Sequence, residues 1–144
     1  MAQISQHFEE SEFQCDHCGK LPPMFRDEAG ELLYCYEEFF DALESIRVAW
    51  DRPMTIGSGY RCPAHNKAIG GEPMSVHQFG LAVDVTLDTV DEVHEFVKLA
   101  RDVAPSLRKG WKQYLDKGQT FVHLDNGMAI YPRPSSNFRE GVEW

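Results

Sequence analysis

Positive charge is scarce in this chain of 144 residues: 14 lysines and arginines face 23 aspartates and glutamates, a formal net charge of −9. That balance argues against a nucleic-acid phosphate backbone as the main partner, because such binding rests on clustered cations that displace counterions. Long apolar runs are missing too. No stretch approaches the ~20 residues that a bilayer-spanning helix needs, so membrane insertion is not expected. The start, Met1-Ala2-Gln3-Ile4-Ser5-Gln6-His7-Phe8-Glu9-Glu10, has neither a basic end nor an apolar core. It does not read as a secretory signal, and the chain is expected to be cytoplasmic as synthesised. There is no internal repeat and no low-complexity tract.

Cysteine is sparse as well: Cys15, Cys18, Cys35 and Cys62 are all there are. In a cytosolic chain such thiols are expected reduced or metal-bound rather than cross-linked. Cys15-Asp16-His17-Cys18-Gly19 has the form of half a structural zinc knuckle, which would need two more ligands from Cys35, Cys62 or a histidine. The competing readings are separate buried thiols and, in an oxidising setting, a disulfide from Cys15 or Cys18 to Cys62.

What the chain does have is enough apolar residue, 42% of the total with 12% aromatic, for one domain spanning residues 1–144 with a core of its own. Between Tyr36 and Trp50, the residues Phe39, Phe40, Leu43, Ile46 and Trp50 fall on one helical stripe and read as core. A second helix is expected from Thr89, with Asp91 and Glu92 favoured in its first turn, through Val93, Phe96, Val97 and Ala100 to about Val103, where Pro105 stops it. His94 and Asp91 on that helix read as a solvated pair rather than as ligands. A short helix is expected after Arg61, through Asn66 and Ile69. Strands are expected at about 53–57, 81–87, 119–125 and 127–131, the last two joined by a tight Asn126-Gly127 turn. Residues 132–144 read as a surface tail closed by Trp144. The sum is an α+β fold: a small, mainly antiparallel sheet with helices packed on one side.

Two imidazoles and a carboxylate stand out against this scaffold. His77 precedes Gly80, which suits a sharp turn, and Asp84 lies in the apolar strand Leu81-Ala82-Val83-Asp84-Val85-Thr86-Leu87. A turn followed by a strand can fold His77 back beside Asp84. Alternation in Thr120-Phe121-Val122-His123-Leu124-Asp125 puts Phe121, His123 and Asp125 on one face. If the two strands are neighbours, His77, Asp84 and His123 form the three-ligand set of a catalytic zinc that keeps a fourth position open. A lone histidine in a strand is usually a satisfied core residue. The carboxylate tips the balance, because a charge buried among apolar neighbours demands a cation or hydrogen-bond donors.

These residues carry a resemblance. Ser58-Gly59-Tyr60-Arg61-Cys62-Pro63-Ala64-His65-Asn66, then Gly70-Gly71, then Ser75-x-His77-x-x-Gly80-x-Ala82-x-Asp84, and finally Val122-His123-x-Asp125 occur in an order that resembles the zinc D-alanyl-D-alanine carboxypeptidases. That family includes cell-wall endopeptidases of bacteriophages and, more remotely, resembles the hedgehog signalling domain. The resemblance implies that His77, Asp84 and His123 bind zinc and that Arg61 lies in the substrate cleft, gripping a substrate carboxylate or polarising a scissile carbonyl. It implies a substrate as well, a D-amino-acid-containing stem peptide of peptidoglycan, cut by a D,D-carboxypeptidase or an endopeptidase. Release by a phage lysis system, or carriage on a phage particle, fits the same resemblance. From the residues alone, Arg61 also reads as one arm of a surface ion pair, and Ser75 either caps local backbone or binds substrate.

One position departs from the family pattern. Where well-studied members carry a Glu or Asp as general base, three residues before the second zinc histidine, this chain has Thr120. Asp125 is the nearest acidic substitute, sharing a strand face with His123; Asp116 lies upstream. Asp125 reads equally as the partner that orients the His123 ring. The departure also keeps two other functions open: a zinc-bound but inactive module that binds wall peptide or a protein partner, and a structural component of a phage particle.

Overall fold

Helix α1, Tyr34–Trp50, forms where the apolar stripe repeats at helical spacing, and it buries Phe39, Phe40, Leu43, Ile46 and Trp50 as expected, together with Tyr36. It stops at Asp51, whose left-handed backbone (φ 53) returns its N–H to the Arg47 carbonyl. The structure is a computed structural model in which residues 3–130 and 140–144 are described. Helix α3, Val90–Val103, opens on Thr89, whose hydroxyl accepts the Glu92 N–H at 3.1 Å, and buries Val93, Phe96, Val97 and Ala100. The two helices pack together, with Trp50 edge-on to Phe96 at 5.2 Å. Two short helices, α2 at Pro63–Ala68 and α4 at Lys112–Asp116, lie in the connections. No helix among the described residues is long and apolar enough to cross a membrane.

Four antiparallel strands, β1 (Thr55–Ser58), β2 (Ala82–Thr86), β3 (Arg108–Gly110) and β4 (Phe121–Asp125), form one sheet in the order β1-β2-β4-β3. Registration is what matters for the site: Val83 pairs with Leu124 and Val85 with Val122, whereas Asp84 pairs with His123 and Ala82 with Asp125. Because side chains alternate across a strand, Val83, Val85, Val122 and Leu124 enter the core while Asp84, His123 and Asp125 share the opposite face. The fold is α+β, as its pattern of elements implied.

Two expectations need correction. Residues 127–130 do not return as a hairpin strand; Gly127–Ala129 is a turn of 3₁₀ helix. A two-residue hairpin turn of the favoured type needs positive φ at its centre, but Asn126 sits at φ −111, and the Asp125 carboxylate takes the Gly127 N–H at 2.9 Å. Position 131 lies outside the described residues. The edge strand is instead β3, three residues with two cations, too short and too charged to show a strand pattern. Of the expected surface tail, residues 132–139 lie outside the described set, and Val142 to Trp144 run beside β3. There the Lys109 N–H reaches the Val142 carbonyl at 2.9 Å and the Trp144 N–H reaches the Lys109 carbonyl at 3.0 Å.

The amino-terminal segment also joins the core. Phe8 and Phe13 are buried, and Phe13 packs against Phe40 at 4.9 Å. The Tyr60 N–H donates to the Phe13 carbonyl at 2.8 Å, fastening this segment to the loop after β1.

Candidate metal centre

Asp84 and His123 meet because they are directly opposed on neighbouring strands. His77 arrives from a 3₁₀ turn, Val76–Phe79, which Ser75 opens by accepting the His77 N–H at 3.3 Å and Gly80 closes at φ +73. Gly80 is doubly required, since a side chain there would also strike Pro22 at 2.6 Å. The result is a tight convergence. His77 Nε2 lies 3.3 Å and His123 Nδ1 3.0 Å from Asp84 Oδ1, and the three donor atoms all fall within 4.8 Å of one another.

Each imidazole is held by its other nitrogen. His77 Nδ1 donates to the Gly59 carbonyl at 2.7 Å, which leaves Nε2 as the lone-pair side facing Asp84. His123 Nε2 donates to Asp125 Oδ2 at 2.6 Å, which leaves Nδ1 for the site. Both rings are nearly sealed, at 3% and 8% exposure. Without a cation between them the groups titrate accordingly. Burial works to lower the His123 pKa, but hydrogen bonds and charge from Asp125 and Asp84 outweigh it and raise the ring to about 9. Burial likewise works to raise Asp84, and hydrogen bonds from His123 and His77 overcome it, holding the carboxyl well below its usual range. Two orientable imidazoles and one ionised carboxylate aimed at a common point are a donor set that fits zinc.

Behind His123 stands a group that sequence reasoning reached only in part. Asp125 is fully buried; Arg108 grips it bidentately, Nε to Oδ1 and Nη2 to Oδ2, both at 2.8 Å. Trp144 lies over the pair, its ring 5.4 Å from the His123 ring and 4.7 Å from the Arg108 guanidinium carbon. It seats against Gly110, where a Cβ would come within 2.7 Å of the indole. Arg108 and Trp144 were missed because β3 has no strand signature and the end of the chain reads as polar surface. The one available signal was the need of a buried Asp125 for a cation.

Arg61 lies on the loop between β1 and α2. Its N–H donates to the His77 carbonyl at 2.9 Å, and its Nη1 donates to Asn66 Oδ1 at 2.9 Å, so an amide rather than a surface carboxylate positions the guanidinium. Buried Asn66 is fixed in turn by the Glu72 carbonyl at 3.0 Å. Beside the site a shallow groove of about 300 Å³ is lined by Gly57, Ser58, Asp84, Thr86, Thr120 and Phe121. Asp84 is the one acid among those residues. The Thr120 hydroxyl donates to the Leu87 carbonyl at 2.8 Å, and Asp116 lies exposed at the end of α4.

A second cluster forms from Cys15, Cys18 and Cys62, whose sulfurs fall within 4.8 Å of one another. All four cysteines are free thiols; Cys35 stands apart on α1. The reading of separate buried thiols is therefore corrected: three converge, and Cys18 is exposed. Burial raises the Cys15 thiol, but hydrogen bonds from the backbone of Cys62, Cys18 and His17 prevail and bring it down to about 7.

No curated protein matches the chain. A family model described as Peptidase M15 matches residues 6–125, a span that contains His77, Asp84, His123, Asp125, Arg61 and the three clustered cysteines. By that match over most of its length, and in keeping with the convergent donor set, the chain belongs to the peptidase M15 family.

Proposed function

We propose that the chain is a zinc peptidase that hydrolyses D-amino-acid-containing stem peptides of bacterial peptidoglycan, at a terminal D-alanine or within the stem. The observation that carries this reading is the meeting of His77, Asp84 and His123 at the edge of an open groove, in a chain of the M15 family. Zinc, when bound, supplies a Lewis acid and a water whose pKa is lowered toward ~7. His77, Asp84 and His123 would hold it. Gly59 and Asp125 keep the two rings turned so that a lone pair of each faces Asp84. Arg61 lies next to the His77 turn, where it would bind a substrate carboxylate or carbonyl oxygen, and Ser75 serves by capping that turn.

Asp125 fits the role of positioning residue rather than base. Its Oδ1 accepts from Arg108 and Gly127, its Oδ2 accepts from Arg108 and His123, and its surface is fully covered. A base must reach water to about 3 Å, and a sealed carboxylate with four donors on it does not. This same observation, together with Thr120, supports a second reading: a zinc-bound module that holds wall peptide without cutting it. The net charge of −9 gives neither reading attraction to anionic wall polymers. Delivery by a phage lysis system or on a phage particle belongs to the proposal.

Incubating the zinc-loaded protein with purified peptidoglycan separates the readings. New amino groups, absent with His77→Ala, are the expected result. Sedimentation with the wall and no new amino groups would establish the binding module and overturn the peptidase.

A further inference from the structure

Cys15-x-x-Cys18 and Cys62-x-x-His65 are two ligand pairs of the spacing that closed zinc sites use, and the fold brings them together. The first pair lies on a turn closed by Gly19 at φ +70, where the Gly19 N–H returns to the Cys15 carbonyl at 2.8 Å and the Cys15 N–H donates to the Lys20 carbonyl at 2.9 Å. The second spans the start of α2. The pairs are already tied through sulfur: the Cys62 N–H points at Cys15 Sγ and the His65 N–H at Cys62 Sγ, both at 3.4 Å. Such N–H···S contacts stabilise thiolates, the form that binds metal. The His65 ring stacks on that of His17, the residue between Cys15 and Cys18 in the chain, 5.4 Å apart and nearly parallel.

We propose that Cys15, Cys18, Cys62 and His65 form a closed, structural zinc site, separate from the His77, Asp84 and His123 centre. Three thiolates and one imidazole select zinc over the hard cations, and a full tetrahedron leaves no position for substrate. A disulfide would pair two of the three sulfurs and strand the third. The metal clips the amino-terminal segment to the loop from Gly59 to Cys62. That loop carries the carbonyl that orients His77 and also Arg61, whose N–H meets the His77 carbonyl, and Gly59 has no room for a Cβ, which would sit 2.8 Å from Phe13 Cα. The site thus fixes the framework of the other centre without touching it.

Metal counting on the full chain, purified under reducing conditions, tests this independently of peptidase activity. Two zinc ions per chain are expected. Cys18→Ser, an exposed position, should lose one and His77→Ala should lose the other. Replacing zinc by cobalt should give sulfur-to-cobalt charge-transfer bands that survive His77→Ala and vanish in Cys18→Ser. His65→Ala should keep those bands, weaken cobalt binding at least tenfold and alter the ligand-field spectrum. A single zinc per chain that Cys18→Ser retains, or no sulfur-to-cobalt band in the wild type, overturns the site. An unchanged ligand-field spectrum and affinity in His65→Ala removes the histidine. Should Cys18→Ser fail to accumulate folded, the wild-type cobalt spectrum decides by itself.

Discussion

Replacing Asp125 by Asn keeps the shape of the side chain and removes its charge where Arg108 and His123 both depend on it. The carboxylate is fully buried with four donors on its two oxygens, and the Arg108 side chain retains only 8% exposure. An amide can satisfy at most part of that set, since its NH₂ would face donors. Taking the Asp125 charge away from the buried Arg108 guanidinium costs about 3–5 kcal/mol, which for a chain of this size lowers the melting temperature by roughly 10–20 °C. The His123 ring, released from its orienting acceptor, should bind zinc about 10–100-fold more weakly. Urea denaturation of the metal-free protein and competition against a chelator measure the two effects separately. Pairing Asp125→Asn with Arg108→Met should recover much of the stability but not the zinc affinity, because only the first loss comes from the guanidinium's missing carboxylate. The reasoning fails if Asp125→Asn binds zinc and unfolds like the wild type while turnover alone collapses; that pattern would make Asp125 the base.

In the metal-free chain, stability should depend on pH through the same cluster. His123 is raised from 6.5 to about 9, so its contribution is complete below about pH 6.5 and is lost as the pH rises through about 9, a change of about 3 kcal/mol. Asp84 is depressed below its ordinary 3.8, so its contribution is present above that value and lost as the pH falls further. Urea midpoints of metal-free protein should therefore fall between pH 6 and 9.5, and the zinc-bound form, whose imidazoles are already neutral, should lack this decline; equal midpoints would remove the His123 account. Gly59→Ala puts a Cβ 2.8 Å from Phe13 Cα and 2.9 Å from its carbonyl oxygen, backbone atoms that cannot step aside cheaply. It should cost about 1–3 kcal/mol and loosen the carbonyl from His77; thermal unfolding and chelator competition would show both, and an unperturbed zinc affinity would mean that Gly59 does not set the ring.

Helices α1 and α3 could be read from the chain because their evidence is local: apolar residues at helical spacing, Thr89 at one start and Pro105 past one end. The donor set His77, Asp84 and His123 was legible for a related reason, since strand alternation fixes which side chains share a face and a carboxylate among valines calls for a compensating charge. Alternation does not say which strand neighbours which. That the β2 and β4 strands pair so as to oppose Asp84 and His123, and that β3 rather than residues 127–130 covers the free edge of β4, was decided by packing. Local turn preference at Asn126-Gly127 lost to a side chain, when the buried Asp125 took the Gly127 N–H. The Arg108 grip on Asp125, the indole of Trp144 over His123, and the approach of Cys62 to Cys15 and Cys18 join residues far apart along the chain. Their meeting carries no periodic signature, because the free energy that favours it arises only when distant segments have already been brought out of water and into contact.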